Sequence, residues 1–154
     1  MRLLVAVAVL LMCGAEALAS GGINCEAKDE VVTFDVGAGV SRGMGAAIFS
    51  FDGTVTIKDP KIAPDLTNTK FELDNVAQYW LDGEELRLRL YRERVGDKPH
   101  GYVELEILTK ARTGDDDEGL YAGRYQLSTY DTLDENTVEA VTSSYEGKVS
   151  CFVE

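Results

Sequence analysis

From Val31 onward apolar and polar residues alternate, the period-two signature of strands with one buried face. In VVTFDV, Val32, Phe34 and Val36 fall on one side, and in GTVTIK, Val55 and Ile57 do, with threonines opposite. The stretch VAQYWLDGEELRLRLYRER carries two strand-like runs around Asp82-Gly83, a dipeptide that favours a tight hairpin turn. Leu73 to Leu81 also admits a helical face through Leu73, Val76 and Trp80, but the following turn favours a strand, with Trp80 in the core.

The next hairpin has a register that can be worked out. Leu86, Leu88 and Leu90 share one face of their run, with Arg87, Arg89 and Tyr91 on the other. After VGDKPHG, Val103, Leu105 and Ile107 share a face, with Tyr102, Glu104 and Glu106 opposite. Pairing residues whose numbers sum to 193 or 195 sets apolar against apolar and brings Arg87 and Arg89 beside Glu104 and Glu106. Further runs are GLYAGRYQLSTY, TVEAVTSS and EGKVSCFVE. About eight to ten short strands in one small domain predict an all-β fold, an antiparallel β-sandwich or an open β-barrel.

The N-terminus changes the picture. Arg2, the apolar run Leu3–Met12 and the small residues of Ala17-Leu18-Ala19 form the three-part pattern of a secretory signal. Cleavage after Ala19 is expected, with Ala17 the alternative, so residues 1–19 are read as a signal peptide and 20–154 as one β domain. The apolar run is too short for a permanent membrane span. Met12 before Cys13 does not suit lipidation, which needs a small residue there. Cys25 and Cys151 then remain, and an even pair in an oxidising compartment predicts a disulfide.

The net charge of −12 argues against nucleic acid, which selects Lys and Arg, and admits a basic protein or an envelope component as partner. The location expected is exported, periplasmic or extracellular, and the state a monomer or weak homo-oligomer.

Candidate chemistry is sparse. DVGAGVSRGMGAAIFSFDG is rich in glycine, but no Gly-Lys-Ser/Thr follows, and a strand rather than a helix comes next. A flexible or bulged connection is expected there, with Arg42 and Met44 as candidate partner contacts. In GDDDEG, Asp115, Asp116, Asp117 and Glu118 are adjacent rather than alternating, so they predict a solvated loop and at most a charged contact. His100 is the only histidine and sits in a turn. No Gly-x-Ser-x-Gly surrounds any serine, and oxidised cysteines supply no nucleophile. A carboxylate pair of the glycosidase kind is open, but nothing selects one.

No cofactor or metal set is indicated. Tyr91 and Tyr102, on the charged outer face beside arginines, have the composition of a contact surface. The outline resembles small exported bacterial β-domains, some of which inhibit lysozymes or bind envelope components. The likeness is one of architecture: the serine-glycine loop of several such inhibitors is not matched by Ser41-Arg42-Gly43 or by Ser144-Tyr145-Glu146-Gly147. The expectation is a non-catalytic binding or inhibitory module, with a carbohydrate binder or weak carboxylate hydrolase as the alternative.

Overall fold

The computed structural model describes residues 20–41, 47–133 and 139–154. Among these lie nine strands: β1 (Ser20–Lys28), β2 (Val32–Ser41), β3 (Ile48–Ile57), β4 (Asn68–Glu72), β5 (Val76–Leu81), β6 (Glu85–Glu93), β7 (Gly101–Ala111), β8 (Leu120–Thr132) and β9 (Ala140–Val153). They form one antiparallel sheet in the order β4-β3-β2-β1-β9-β8-β7-β6-β5. Of the two expected all-β architectures, this is the open barrel.

The edges of that sheet are β4 and β5, which follow one another in the chain across a short 3-10 turn, Leu73–Asn75. Alternating antiparallel pairs around the sheet make β4 and β5 run in the same direction. They act as one interrupted strand whose first half pairs with β3 and whose second half pairs with β6. The barrel therefore has about the girth of an eight-stranded one, whose interior is just wide enough for side chains to fill.

The alternation read in the sequence is what fills it. Val32, Phe34 and Val36 point inward from β2, Leu86, Leu88 and Leu90 from β6, and Val103, Leu105 and Ile107 from β7. Burying each such side chain contributes about 1.5–3 kcal/mol before chain entropy is set against it. The space beneath Tyr79, lined also by Ile23, Val36 and Phe51, has no volume open to a water molecule. With apolar residues inside and Arg, Glu, Thr and Lys outside, the barrel is patterned opposite to a membrane-spanning one. No described helix is long and apolar enough to cross a membrane.

β6 and β7 pair with residue numbers summing to 195, as Leu88↔Ile107 and Leu90↔Leu105. At the β5–β6 turn Gly83 has φ +89, and the Asp82 carboxylate accepts the Glu84 and Glu85 N–H groups at 3.0 and 2.9 Å. The helical alternative for 73–81 reduces to the 3-10 turn.

Two local differences have physical causes. The C-terminal runs TVEAVTSS and EGKVSCFVE contribute to one strand, β9, because Gly147 lies inside it under the ring of Tyr125; a Cβ there would meet that ring at 2.6 Å. β1 and β4 carry too few alternating apolar residues to announce themselves.

The glycine stretch is part of this framework. Gly37 and Gly39 lie within β2, at a register shift against β3 where Ser50 takes φ 52. This is a β-bulge in an interior strand, and the next element among the described residues is the strand β3. Cys25 and Cys151 face each other directly across β1 and β9, with Cα atoms 4.0 Å apart, and form the expected disulfide inside the barrel.

Candidate functional site

Because side chains alternate across a strand, outward residues of neighbouring strands line up in rows. On β5–β9 one row reads Trp80, Arg87, Leu108, Arg124 and Lys148. The next reads Gln78, Arg89, Glu106, Gln126 and Glu146. Further along lie Tyr91 opposite Glu104, and Tyr102 opposite Tyr130.

Trp80 is 56% exposed, which corrects its expected place in the core. Register decides the matter: Tyr79 pairs with Leu88 and Leu81 with Leu86 on the inner side, so Trp80 opposite Arg87 must point out. Its indole N–H donates to the Asp82 carboxylate at 3.0 Å, which fixes the ring over the sheet. A shallow groove of about 500 Å³ is lined by Gln78, Trp80, Arg87, Arg89, Glu106 and Leu108. A second, of about 540 Å³, continues from Arg87 and Leu108 to Lys110, Gly123 and Arg124. Leu108 is 42% exposed between them.

Towards the end that carries the β6–β7 connection the same face bears an aromatic cluster. Tyr91 and Tyr102 are brought together, with ring centroids 5.2 Å apart. Tyr102 and Tyr130 stack nearly parallel at 5.5 Å, and His100 lies 6.0 and 5.6 Å from them. Burial and a hydrogen bond from Tyr91 to Glu93 push the Tyr91 phenol up to about 12, so it stays neutral. Sequence reasoning missed Tyr130 and His100 in this role. His100 shares the parity of Tyr102 and was legible as its same-face neighbour; Tyr130 required the β7–β8 register.

The face's charges are largely paired. Arg89 bonds Glu104 and lies 3.4 Å from Glu106. It thereby engages two neighbouring carboxylates of β7 at once. Arg87 bonds Glu85 on its own strand and faces Leu108, a departure from the expected pairing with Glu104 or Glu106.

The remaining candidates lie elsewhere. Asp115, Asp116 and Asp117 sit on the β7–β8 connection, at the opposite end of the barrel from Tyr91 and Tyr102. Asp117 caps its own turn and lies 3.4 Å from Arg112. Among the described residues no cluster of three or more His, Cys, Asp or Glu side chains is placed to hold a metal ion. Arg42 and Met44 lie outside the described residues.

A buried ionic cluster was also missed. The Arg94 side chain is only 6% exposed and meets Asp65 at 2.6 Å, Asp131 at 2.8 Å and the Pro99 carbonyl at 2.7 Å. It ties the β3–β4 and β6–β7 connections to β8. Beside it, Arg92 donates to the Lys70 carbonyl across the gap between β4 and β6. These groups bridge the two edges of the sheet. No protein family, curated protein or solved structure matches the chain.

Proposed function

We propose that the protein is an exported, non-catalytic binding module, periplasmic or extracellular, whose contact surface is the outer face of β5–β8. The observation that carries this reading is clustering. Trp80, Tyr91, Tyr102, Tyr130 and His100 share that face with Arg87, Arg89 and Arg124. The outer side of β2–β4 presents chiefly Thr54, Thr56, Asp35, Asn68 and Lys70, with Phe49 a single exposed aromatic among its described residues. Aromatic residues and arginine are the types that concentrate binding energy at interfaces. Export is supported by the signal-like N-terminus and by the disulfide. The partner class is a basic protein or an envelope component, bound or inhibited through this face.

The test is capture from an envelope extract by immobilised residues 20–154, disulfide intact. Trp80→Ala with Tyr102→Ala is expected to lose a stoichiometric partner that Thr54→Ala retains. Equal capture by both variants would remove the contact surface from β5–β8.

A second reading, carbohydrate binding, is favoured by one feature: an exposed indole beside the amide of Gln78 and the charged groups Arg89 and Glu106 in an open groove. A glycan array probed with the wild type and Trp80→Ala separates the two readings.

A further inference from the structure

We infer that the row Trp80–Arg87–Leu108–Arg124–Lys148 is a track for an acidic linear glycan, a chain of uronate sugars lying across the strands. This rests on the reading of the β5–β8 face as a contact surface and names the ligand for one part of it.

The first observation is the charge pattern. The chain has 27 acidic and 15 basic residues, yet this row contains no acid from β5 to β9. The rows on either side do: Glu106 and Glu146 on one, Glu85 on the other. Arg124 and Lys148 stand directly opposite one another. Like charges in that position destabilise a sheet. Among the described residues neither has a carboxylate oxygen within the 4.0 Å that defines an ion pair. An anion laid between them removes that repulsion, so the ligand supplies what the fold withholds.

The second observation is the indole at the end of the row. Trp80 is fixed by Asp82 and exposed, and a flat aromatic face beside hydrogen-bonding side chains suits the C–H face of a sugar ring.

Spacing and composition select the ligand class. Neighbouring strands lie about 4.8 Å apart, so the row spans about 19 Å, with cations one and two strand spacings apart. A uronate chain carries one carboxylate per ring along such a line. An extended peptide carries a carboxylate only where its sequence places one, whereas every ring of a uronate chain carries one. Duplex nucleic acid, with a charge every ~1.7 Å, is out of step with cations one and two strand spacings apart.

Trp80 is the only tryptophan, so its fluorescence reports the site directly. Residues 20–154 are titrated with oligogalacturonate and, in parallel, with the same oligomer methyl-esterified to remove its charge. The acid form is expected to give a saturable fluorescence change that weakens with rising salt, and the ester none. Arg124→Glu with Lys148→Glu is expected to weaken binding by about tenfold or more, with an unchanged thermal midpoint; Thr54→Glu serves as the control. Equal response to the ester, or equal binding by the double variant, overturns the inference. So does a response to poly-glutamate or to single-stranded DNA without one to the uronate. If the uronate fails while Trp80→Ala still loses the captured partner, this inference alone falls. If Trp80→Ala also leaves capture intact, the contact surface falls with it.

Discussion

Arg94 has its guanidinium enclosed by Asp65, Asp131 and the Pro99 carbonyl. Burial works against the charge, and the two carboxylates more than offset it, so the Arg94 pKa is raised. Truncation would leave Asp131 without its cation and Asp65 with Lys98 alone. For a fully buried pair that costs about 3–5 kcal/mol. Asp65 and Asp131 keep partial contact with water, so about 2–4 kcal/mol is expected for Arg94→Ala in urea unfolding. A loss under about 0.5 kcal/mol would mean water replaces the guanidinium without cost.

The same cluster sets a pH dependence. Burial raises the Asp65 carboxyl, but Lys98 and Arg94 lower it further, so its folded pKa lies below the ordinary value. Asp29 behaves alike: burial raises it, and bonds from Tyr125 and the N–H groups of Val32 and Val31 bring it below. A depressed carboxyl contributes stability above its unfolded pKa, about 3.9, and loses it as pH falls through the folded value. The wild type is therefore expected to lose stability steeply below about pH 4. Asp65→Asn should be the less stable protein at pH 7, with the gap narrowing as pH falls through that window. Urea midpoints at neutral and acid pH measure both; a gap that stays constant would show that Asp65 acts by shape rather than charge.

At the scale of elements, β8 and β9 show how a close approach sets a strand's length. The Tyr125 ring crosses β9 at Gly147, packs edge-on against Phe34 at 5.1 Å, and its hydroxyl donates to Asp29. Gly147→Ala would place a Cβ 2.6 Å from that ring and 2.9 Å from the Asp29 carboxylate. The ring cannot withdraw without breaking both contacts, so a cost of about 1–3 kcal/mol is expected. Thermal unfolding with and without Tyr125→Leu, which vacates the space, checks the cause: the two changes should be less than additive.

These elements also show what was legible beforehand. The β6–β7 face pairing followed from apolar alternation, which left sums of 193 and 195; the structure takes 195, with Leu88 against Ile107. The Asp82-Gly83 turn followed from local chemistry. Trp80 was misplaced because hydrophobicity was allowed to outvote the parity already fixed by Leu86 and Leu88. The continuity of β9 through Gly147 and the Arg94 cluster were not legible, because each depends on residues far apart in sequence: Asp29 with Tyr125, and Asp65 with Asp131. The contact face was half legible. Tyr91 and Tyr102 share a hairpin, whereas the row from Trp80 to Lys148 needs four strand pairings at once.

For the whole molecule, closure is decided at two seams. One lies between β4 and β6, where Arg92 and Arg94 cross. The other joins the first strand to the last. β1 and β9 pair over only Ile23–Glu26, a ladder of four positions, whereas β8 and β9 pair from Leu120 to Thr132. The disulfide sits in that short ladder and spans 126 residues of sequence. Cross-linking so long a loop restricts the unfolded chain by up to about 5 kcal/mol in the chain-entropy account. Cys25→Ser with Cys151→Ser is therefore expected to lower stability by about 3–5 kcal/mol. It should also raise the urea m-value, because the freed unfolded chain exposes more surface. The m-value separates two causes. A loss of stability with a higher m-value places the effect in the unfolded state. The same loss with an unchanged or lower m-value would place it in the native barrel, where β1 would peel from β9. That peeling would move Lys148 and loosen the row that begins at Trp80, so fluorescence of the folded double variant reports whether the seam supports the contact face as well as the fold.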